Sequence, residues 1–278
     1  MTALDDFESP VLTLEVDGHV ATLWLDRPEA RNAMGPDLWA DLPRACQALA
    51  DEADLRAVVI AARGPHFSVG LDLKAMGGGL SGGGGAASPA VKARRAIKNV
   101  KHLQDAVTVV ERLAMPVVAA VHGYCIGGGV DLIAACDIRL ASSDAVFSVR
   151  EAKVAIVADL GSLQRLPRII SAGHLAELAF TGKDISAARA GQIGLVNDVY
   201  DDEESLMAAA YELAGEIARN SPIAVQGTKA VLAANDGRTV AEGLDYVAVW
   251  NAGALESDDL KEAMTAFMEK RPPIFTGR

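Results

Sequence analysis

His122-Gly-Tyr-Cys-Ile-Gly-Gly-Gly-Val-Asp131 is the stretch whose reading decides the fold. Just upstream, Pro116–Val121 is fully apolar and rich in β-branched residues, so it predicts a buried strand running into a turn at Gly127–Gly129. A helix is expected to open there and continue through Ile133 and Ala134. A strand, a glycine turn and a helix in that order aim free backbone N–H groups at an anion. Three carboxylates follow in apolar surroundings: Asp131, Glu151 and Asp159, the last just before Leu-Gly-Ser-Leu-Gln-Arg-Leu166. Donors for a developing oxyanion beside acids able to move protons point to chemistry on a carbonyl compound through an enolate.

Outward from this segment, strand and helix patterns alternate. Leu12, Leu14 and Val16, then Val20, Thr22 and Trp24, alternate about Asp17-Gly18 and predict a β-hairpin with positive φ angles in the Asp-Gly turn. Residues 36–50 have helical spacing, and Ala57–Ala61 is a short apolar strand. Ile138–Ala141 and Ala145–Val149 predict two more short strands. Such alternation implies an α/β core. The last third is helical: Ser221-Pro222 is an N-cap and first-turn pair for a helix over 222–234, and Ser257 with Asp258 and Asp259 starts another. Gly77–Pro89 is glycine-rich and predicts a mobile loop near the pocket mouth. It lacks the Gly-Lys-Ser/Thr ending of a phosphate-binding loop.

The chain of 278 residues is 50% hydrophobic and carries a formal charge of −11. Such acidity disfavours nucleic acid and anionic membranes as general partners. Cys46, Cys125 and Cys136 are odd in number without CxxC spacing, which fits a reducing compartment. The five histidines show no metal-ligand spacing. Residues 1–10 do not resemble a signal peptide, no apolar run reaches membrane-span length, and the ending Phe-Thr-Gly-Arg278 is not a peroxisomal Ser-Lys-Leu signal. A cytoplasmic protein is the expectation.

The glycine motif and its acids, with Leu23-Trp-Leu-Asp-Arg-Pro-Glu-Ala-Arg-Asn-Ala33, Phe67-Ser-Val-Gly-Leu-Asp-Leu-Lys74 and Ala266-Phe-Met-Glu-Lys-Arg-Pro-Pro-Ile-Phe-Thr-Gly-Arg278, resemble the enoyl-CoA hydratase/isomerase (crotonase) superfamily. The resemblance spans almost the whole chain. It implies an α/β fold, a crotonase-like spiral of ββα units over 1–205. A helical C-terminal subdomain over 206–278 would then assemble trimers, often paired as hexamers. It further implies that the N–H groups of Leu71 and Gly128 form an oxyanion hole for a thioester oxygen. Ala33, Asp72, Leu73 and Lys74 would contact coenzyme A, with Arg27 and Arg31 in a CoA-facing loop. Coenzyme A would enter only as part of the thioester substrate, with no separate cofactor and no metal.

The carboxylates separate the reactions within the superfamily. Read without the resemblance, Asp131 satisfies a helix dipole, Glu151 is a solvated surface acid, and Asp159 caps a helix beginning at Leu160. The resemblance places Asp131 and Glu151 at the two catalytic carboxylate positions, although hydratases usually carry Glu at the first. Eight residues beyond Glu151, hydratases carry a small residue, typically glycine, where this chain has Asp159. Asp131, Glu151 and Asp159 together resemble the acid triplet of the Δ3,5-Δ2,4-dienoyl-CoA isomerase branch. Moving a 3,5-diene to a 2,4-diene takes a proton from C2 and delivers one to C6, positions that one carboxylate reaches poorly. Glu151 at C2 and Asp159 at C6, with Asp131 orienting or tuning them, would divide the work; the base and acid roles stay exchangeable at this stage. A 2-enoyl-CoA hydratase is the alternative, with Asp131 and Glu151 holding a water for syn addition. An alternative of another class is a non-catalytic acyl-CoA-binding relative, which would have no reason to keep donors and acids together. RNA binding is disfavoured by the acidic balance, and a nicotinamide oxidoreductase by the lack of G-x-G-x-x-G after an N-terminal strand.

Overall fold

A computed structural model describes residue 4, residues 6–75 and residues 88–278. Most of the glycine-rich stretch, Gly77–Ala87, lies outside the described residues. The core is a six-stranded sheet, built from β1 (Leu12–Asp17), β2 (Val20–Leu25), β3 (Ala57–Ala62), β4 (Val117–Val121), β6 (Ile138–Ser142) and β9 (Asp198–Tyr200), in that spatial order. Only the β1–β2 pair is antiparallel. A second sheet joins β5 (Tyr124–Ile126), β7 (Val146–Ser148) and β8 (Ile185–Ser186). Every residue of β3 and β4 is buried, as befits parallel strands covered on both faces.

The period of two along β3 and β4 divides their side chains between two cores. Val58, Ile60, Val117 and Ala119 face the larger core, which the helices Pro36–Asp51, Pro89–Glu111 and Gly128–Ala134 cover. Ala57, Val59, Val118 and Ala120 face the other, closed by Leu206, Ala210 and Ala214 of the helix Glu203–Arg219. Those three recur every fourth residue, the spacing that puts one apolar stripe on a helix. Beyond it, the helices Pro222–Ala234, Val240–Ala254 and Asp258–Glu269 end the chain. The first two pack so closely that a Cβ on Gly227 would lie 2.2 Å from the Trp250 indole nitrogen. Asp259 is buried and ties this region together, accepting from Ser221 Oγ at 2.6 Å and from Thr276 N at 2.7 Å.

Most predicted elements lie where the pattern puts them, and the helix over 222–234 has those same bounds. The hairpin differs in its turn. Asp17 pairs with Val20, so the loop residues are Gly18 and His19, and only Gly18 has positive φ. The strand Pro116–Val121 does not run straight into the glycine turn either. The chain first crosses to the second sheet as β5, through Gly123 at φ +55°. A Cβ on Gly123 would stand 2.2 Å from the Pro65 carbonyl oxygen, so no other residue fits that crossing.

Truncating the stripe that closes the second core tests this packing. Leu206→Ala, at a fully buried position, should lower the unfolding free energy by about 2–5 kcal/mol, read as a shift in urea midpoint at constant slope.

Candidate active site

Two loops meet at the start of the Gly128–Ala134 helix. The first, Phe67–Asp72, is held between neighbours on both sides. Phe67 N donates to His122 O at 2.9 Å, Ser68 N to Tyr124 O at 2.8 Å, and Asp72 N to Met34 O at 3.0 Å. Asn32 anchors the near side: its side-chain amide donates to Arg63 O at 2.9 Å and His66 O at 2.8 Å and accepts from Arg27 N at 2.8 Å. Its role escaped the sequence reading, although a buried Asn at φ +52° is a residue suited to that backbone. Ser68 Oγ takes the Gly70 N–H at 3.1 Å. Among the described residues, the next N–H, that of Leu71, meets no acceptor, and neither does that of Gly128.

The loops approach until only glycine fits. Gly70 has φ +83°, and a Cβ there would lie 2.6 Å from Ile126 O and 3.4 Å from Gly128 N. A Cβ on Gly128 would lie 2.9 Å from Met34 Sδ. Leu71 and Gly128 thus carry N–H groups without an acceptor among the described residues on adjoining stretches of backbone, an arrangement suited to a developing oxyanion.

The acids gather beside it. Asp131, one turn into the helix, is 1% exposed, and its Oδ1 accepts from Ser162 N at 2.6 Å. Burial pushes its carboxyl up to about 6, with the Asp159 charge adding to the rise; Ser162 and Arg165 hold it down. Glu151 opens the 3-10 turn Glu151–Val154. Its Oε1 would be 3.1 Å from a Cβ on Gly127, which places it against the oxyanion turn. Its Oε2 is shielded from solvent with no hydrogen-bond partner among the described residues. Burial first, then the charges of Asp131 and Asp159, push Glu151 up to about 7. Asp159 is half-buried, and desolvation raises its carboxyl above the usual range.

Asp159 is not a helix cap. The short helix Ser162–Arg165 begins from Gly161 and has no side-chain cap. What fixes the Asp159 loop is the Pro89–Glu111 helix: Gln104 Nε2 donates to the Asp159 carbonyl at 2.7 Å. Arg165 pairs with Glu111 at 2.9 Å and reaches Thr108 Oγ1 at 3.0 Å. Gln104 lay outside every motif, and the motif that holds Ser162 and Arg165 carried no sign of their partners, since each reaches a residue far away in sequence.

The residues implied for coenzyme A share one edge. Met34 bridges Leu71, so Ala33 lies beside the chain entering Asp72–Lys74. Leu73 and Lys74 are exposed. Asp72 pairs with Arg27 at 2.9 Å and accepts from Ala75 N at 3.0 Å; both contacts hold its carboxyl below the usual range. Arg27 is thereby partly neutralised, while Arg31 is exposed. Among the described residues no cluster of His, Cys, Asp and Glu forms a metal site.

The profile of the family described as "Enoyl-CoA hydratase/isomerase" matches residues 15–278. The chain belongs to this family. Enoyl-CoA hydratases/isomerases act on acyl-CoA thioesters, and the paired N–H donors suit a thioester oxygen. Similar proteins include the peroxisomal Δ(3,5)-Δ(2,4)-dienoyl-CoA isomerase of Arabidopsis thaliana, 40% identical over 265 residues that cover 95% of each chain. The mitochondrial isomerase of the same name from Dictyostelium discoideum is 43% identical over 256 residues, 92% of this chain and 87% of that one. The crystal structure of an enoyl-CoA hydratase from Bacillus anthracis superposes with a TM-score of 0.86 at 31% identity, over 96% of this chain and 100% of that one. The spiral α/β architecture expected from the motifs is therefore the fold. The cytoplasmic expectation is overturned: the similar isomerases of Arabidopsis thaliana and Dictyostelium discoideum are named peroxisomal and mitochondrial. No helix of the described residues is long and apolar enough to cross a membrane.

The raised carboxyls give stability a definite pH dependence. The folded protein holds these protons more tightly than the unfolded chain, so stability falls as pH climbs from the ordinary carboxylate range through about 7. Glu151→Gln should therefore be more stable than the parent at pH 8, by about 1–2 kcal/mol after allowance for partial exposure. Near pH 4.5, where the parent's Glu151 is already neutral, the two should melt together (differential scanning calorimetry).

Proposed function

We propose that this chain isomerises 3,5-dienoyl-CoA to 2,4-dienoyl-CoA. The observation that carries the reading is the third acid: Asp159 shares one electrostatic cluster with Asp131 and Glu151, beside the Leu71 and Gly128 donors. Two relatives at 40% and 43% identity are named for this reaction, and the hydratase of known structure is 31% identical.

In the proposed reaction the thioester oxygen sits between the Leu71 and Gly128 N–H groups. Glu151 takes a proton from C2; a base whose titration lies near neutral pH is well matched to that step. The electron pair spreads through the diene as a dienolate, its oxyanion held by the two N–H groups. Asp159 then gives a proton to C6, leaving the double bonds at C2 and C4. Glu151 ends protonated and Asp159 ionised, and one proton passed back through the pocket or solvent restores both. The acyl chain, by expelling water from the half-buried Asp159, pushes that carboxyl further toward the neutral form it needs. Asp131, ionised, keeps a like charge close and helps both neighbours hold a proton. Ala33, Asp72, Leu73 and Lys74 would line the coenzyme A portion, which enters as part of the substrate with no separate cofactor.

The test is the rise of longer-wavelength absorbance with 3,5-octadienoyl-CoA, set against loss of the enoyl band with 2-octenoyl-CoA. Fast gain on the diene and little loss on the enoyl substrate is expected. Asp159→Asn should lower kcat by about 10²–10⁴-fold, the usual worth of a positioned proton donor. In deuterium oxide, Glu151→Gln should stop exchange at C2, whereas Asp159→Asn should keep it and lose delivery at C6. The reverse pattern would exchange the two roles, and near-normal exchange at both carbons in both variants would sink the shuttle. Fast enoyl loss with an inert diene would make the chain a hydratase.

A homotrimer, alone or paired as a hexamer, completes the proposal, with the helical C-terminal subdomain over 206–278 as its contact region. Within it, Leu206, Ala210 and Ala214 lie on the sheet, whereas the later helices expose Val240, Leu244, Val249, Met264, Phe267 and Met268. Phe267 is 83% exposed and Val240 81%, more apolar surface than a lone chain ordinarily leaves in water. Light scattering should find the parent at three or six times the 29.0 kDa chain mass, and a Leu244→Asp, Phe267→Asp double variant at one.

A further inference from the structure

Ser162 has no part in the mechanism so far, yet it is the residue most closely tied to Asp131. Its side chain is 1% exposed, and its N–H makes the 2.6 Å bond to Asp131 Oδ1. Its hydroxyl oxygen is shielded from solvent and has no hydrogen-bond partner among the described residues. Burying an unpaired hydroxyl is unfavourable, so its position calls for a role. The hydroxyl belongs to the residue whose N–H already binds the Asp131 carboxylate, and a bond from it to that carboxylate would favour the charged form.

The turn that presents Ser162 is rigidly braced. Gly161, at φ +127°, precedes it, and a Cβ there would collide with Arg165 Nη1 at 1.8 Å. Arg165 in turn is held by Glu111, by Thr108 and by the Leu160 carbonyl at 3.3 Å. The groups facing Asp131 are Glu151 and Asp159 from their turn and loop, the Cys125 thiol from β5, and Arg165. Arg165 is the one cation among them, and its charge is shared with Glu111. Against two acids and a buried position, Asp131 therefore depends on neutral donors, and Ser162 supplies both that are at hand.

We infer that Ser162 is a positioning residue of the acid cluster, whose hydroxyl turns onto the Asp131 carboxylate and keeps it ionised, so that the pocket's proton rests on Glu151 or Asp159. Without the hydroxyl, Asp131 competes for that proton, and the like charge that holds it on its neighbours disappears. The inference rests on the isomerase reading for its kinetic consequence but not for the titration itself.

The experiment follows the carboxyl carbon of Asp131 by NMR in protein labelled with 13C-aspartate, without substrate, the signal being assigned by its loss in Asp131→Asn. Ser162→Ala removes the hydroxyl and keeps the N–H; Ser162→Thr keeps both. The Ser162→Ala midpoint should rise by about one pH unit, the equivalent of one lost hydrogen bond, and Ser162→Thr should titrate like the parent. With 3,5-octadienoyl-CoA at pH 7, Ser162→Ala should lose about tenfold in kcat, the rate equivalent of that shift, with KM little changed, and Ser162→Thr should recover it. An unchanged Asp131 midpoint in Ser162→Ala overturns the inference whatever the activity. So does a Ser162→Thr variant as impaired as Ser162→Ala, which would make the side chain a matter of packing alone. If the midpoint moves as expected and neither the parent nor any variant acts on the diene, the isomerase reading fails and the role of Ser162 at Asp131 stands.

Discussion

The candidate site rests on two backbones meeting where a side chain at Gly70 does not fit. Gly70 and Gly128 face each other closely enough that a Cβ on the first would strike the Ile126 carbonyl, and one on the second would strike Met34. Beside that contact, the Leu71 and Gly128 N–H groups have no acceptor among the described residues. Main-chain donors on opposed loops are held by the sheets behind them, so they need little reorganisation when charge develops. Asn32 and Ser68 fasten one loop, and the strand Tyr124–Ile126 delivers the other.

The acids obey a second constraint, set by burial. Three carboxyls form one electrostatic cluster in which the nearby cation, Arg165, is already paired with Glu111. Desolvation raises all three, like charge adds to the rise at Asp131 and Glu151, and a proton is retained there near neutral pH. A hydratase needs a water between two carboxylates. A third acid beside that pair instead lengthens the reach of proton transfer along an acyl chain, which is why Asp159 carries so much of the functional reading.

Much of this was legible before any coordinates. The apolar runs of β3 and β4 announced strands, and the structure covers both their faces, as parallel strands leave no polar face to write into the sequence. Gly127–Gly129 and Asp131 could be placed at a helix start because glycine and carboxylate requirements there are local, whereas Glu151 was placed only by the family resemblance. The hairpin turn was misplaced by one residue, since Asp-Gly and Gly-His both satisfy its conformational demands and strand register chooses between them. The short strand Tyr124–Ile126 was missed, being too brief for a period to show. Asp159 also read as a helix cap, and the observed start of that helix at Ser162, without a side-chain cap, removes the alternative.

By itself, then, the sequence determined the family, the α/β class, the two glycine loops and the identity of the three acids. The glycine loops and the α/β class follow from short-range requirements, backbone angles only glycine adopts readily and apolar periods, whereas the family and the acids came from the resemblance of the motifs to known members. The tertiary structure alone decided that the acids meet, that Arg165 is committed to Glu111, that Arg27 is shared with Asp72, and that Asn32, Gln104 and Ser162 hold the site in place. Their partners stand from 5 to 55 residues away along the chain. No local pattern records a contact made by folding, because the free energy of such a contact depends on what surrounds it, and that exists only once the chain has closed around it.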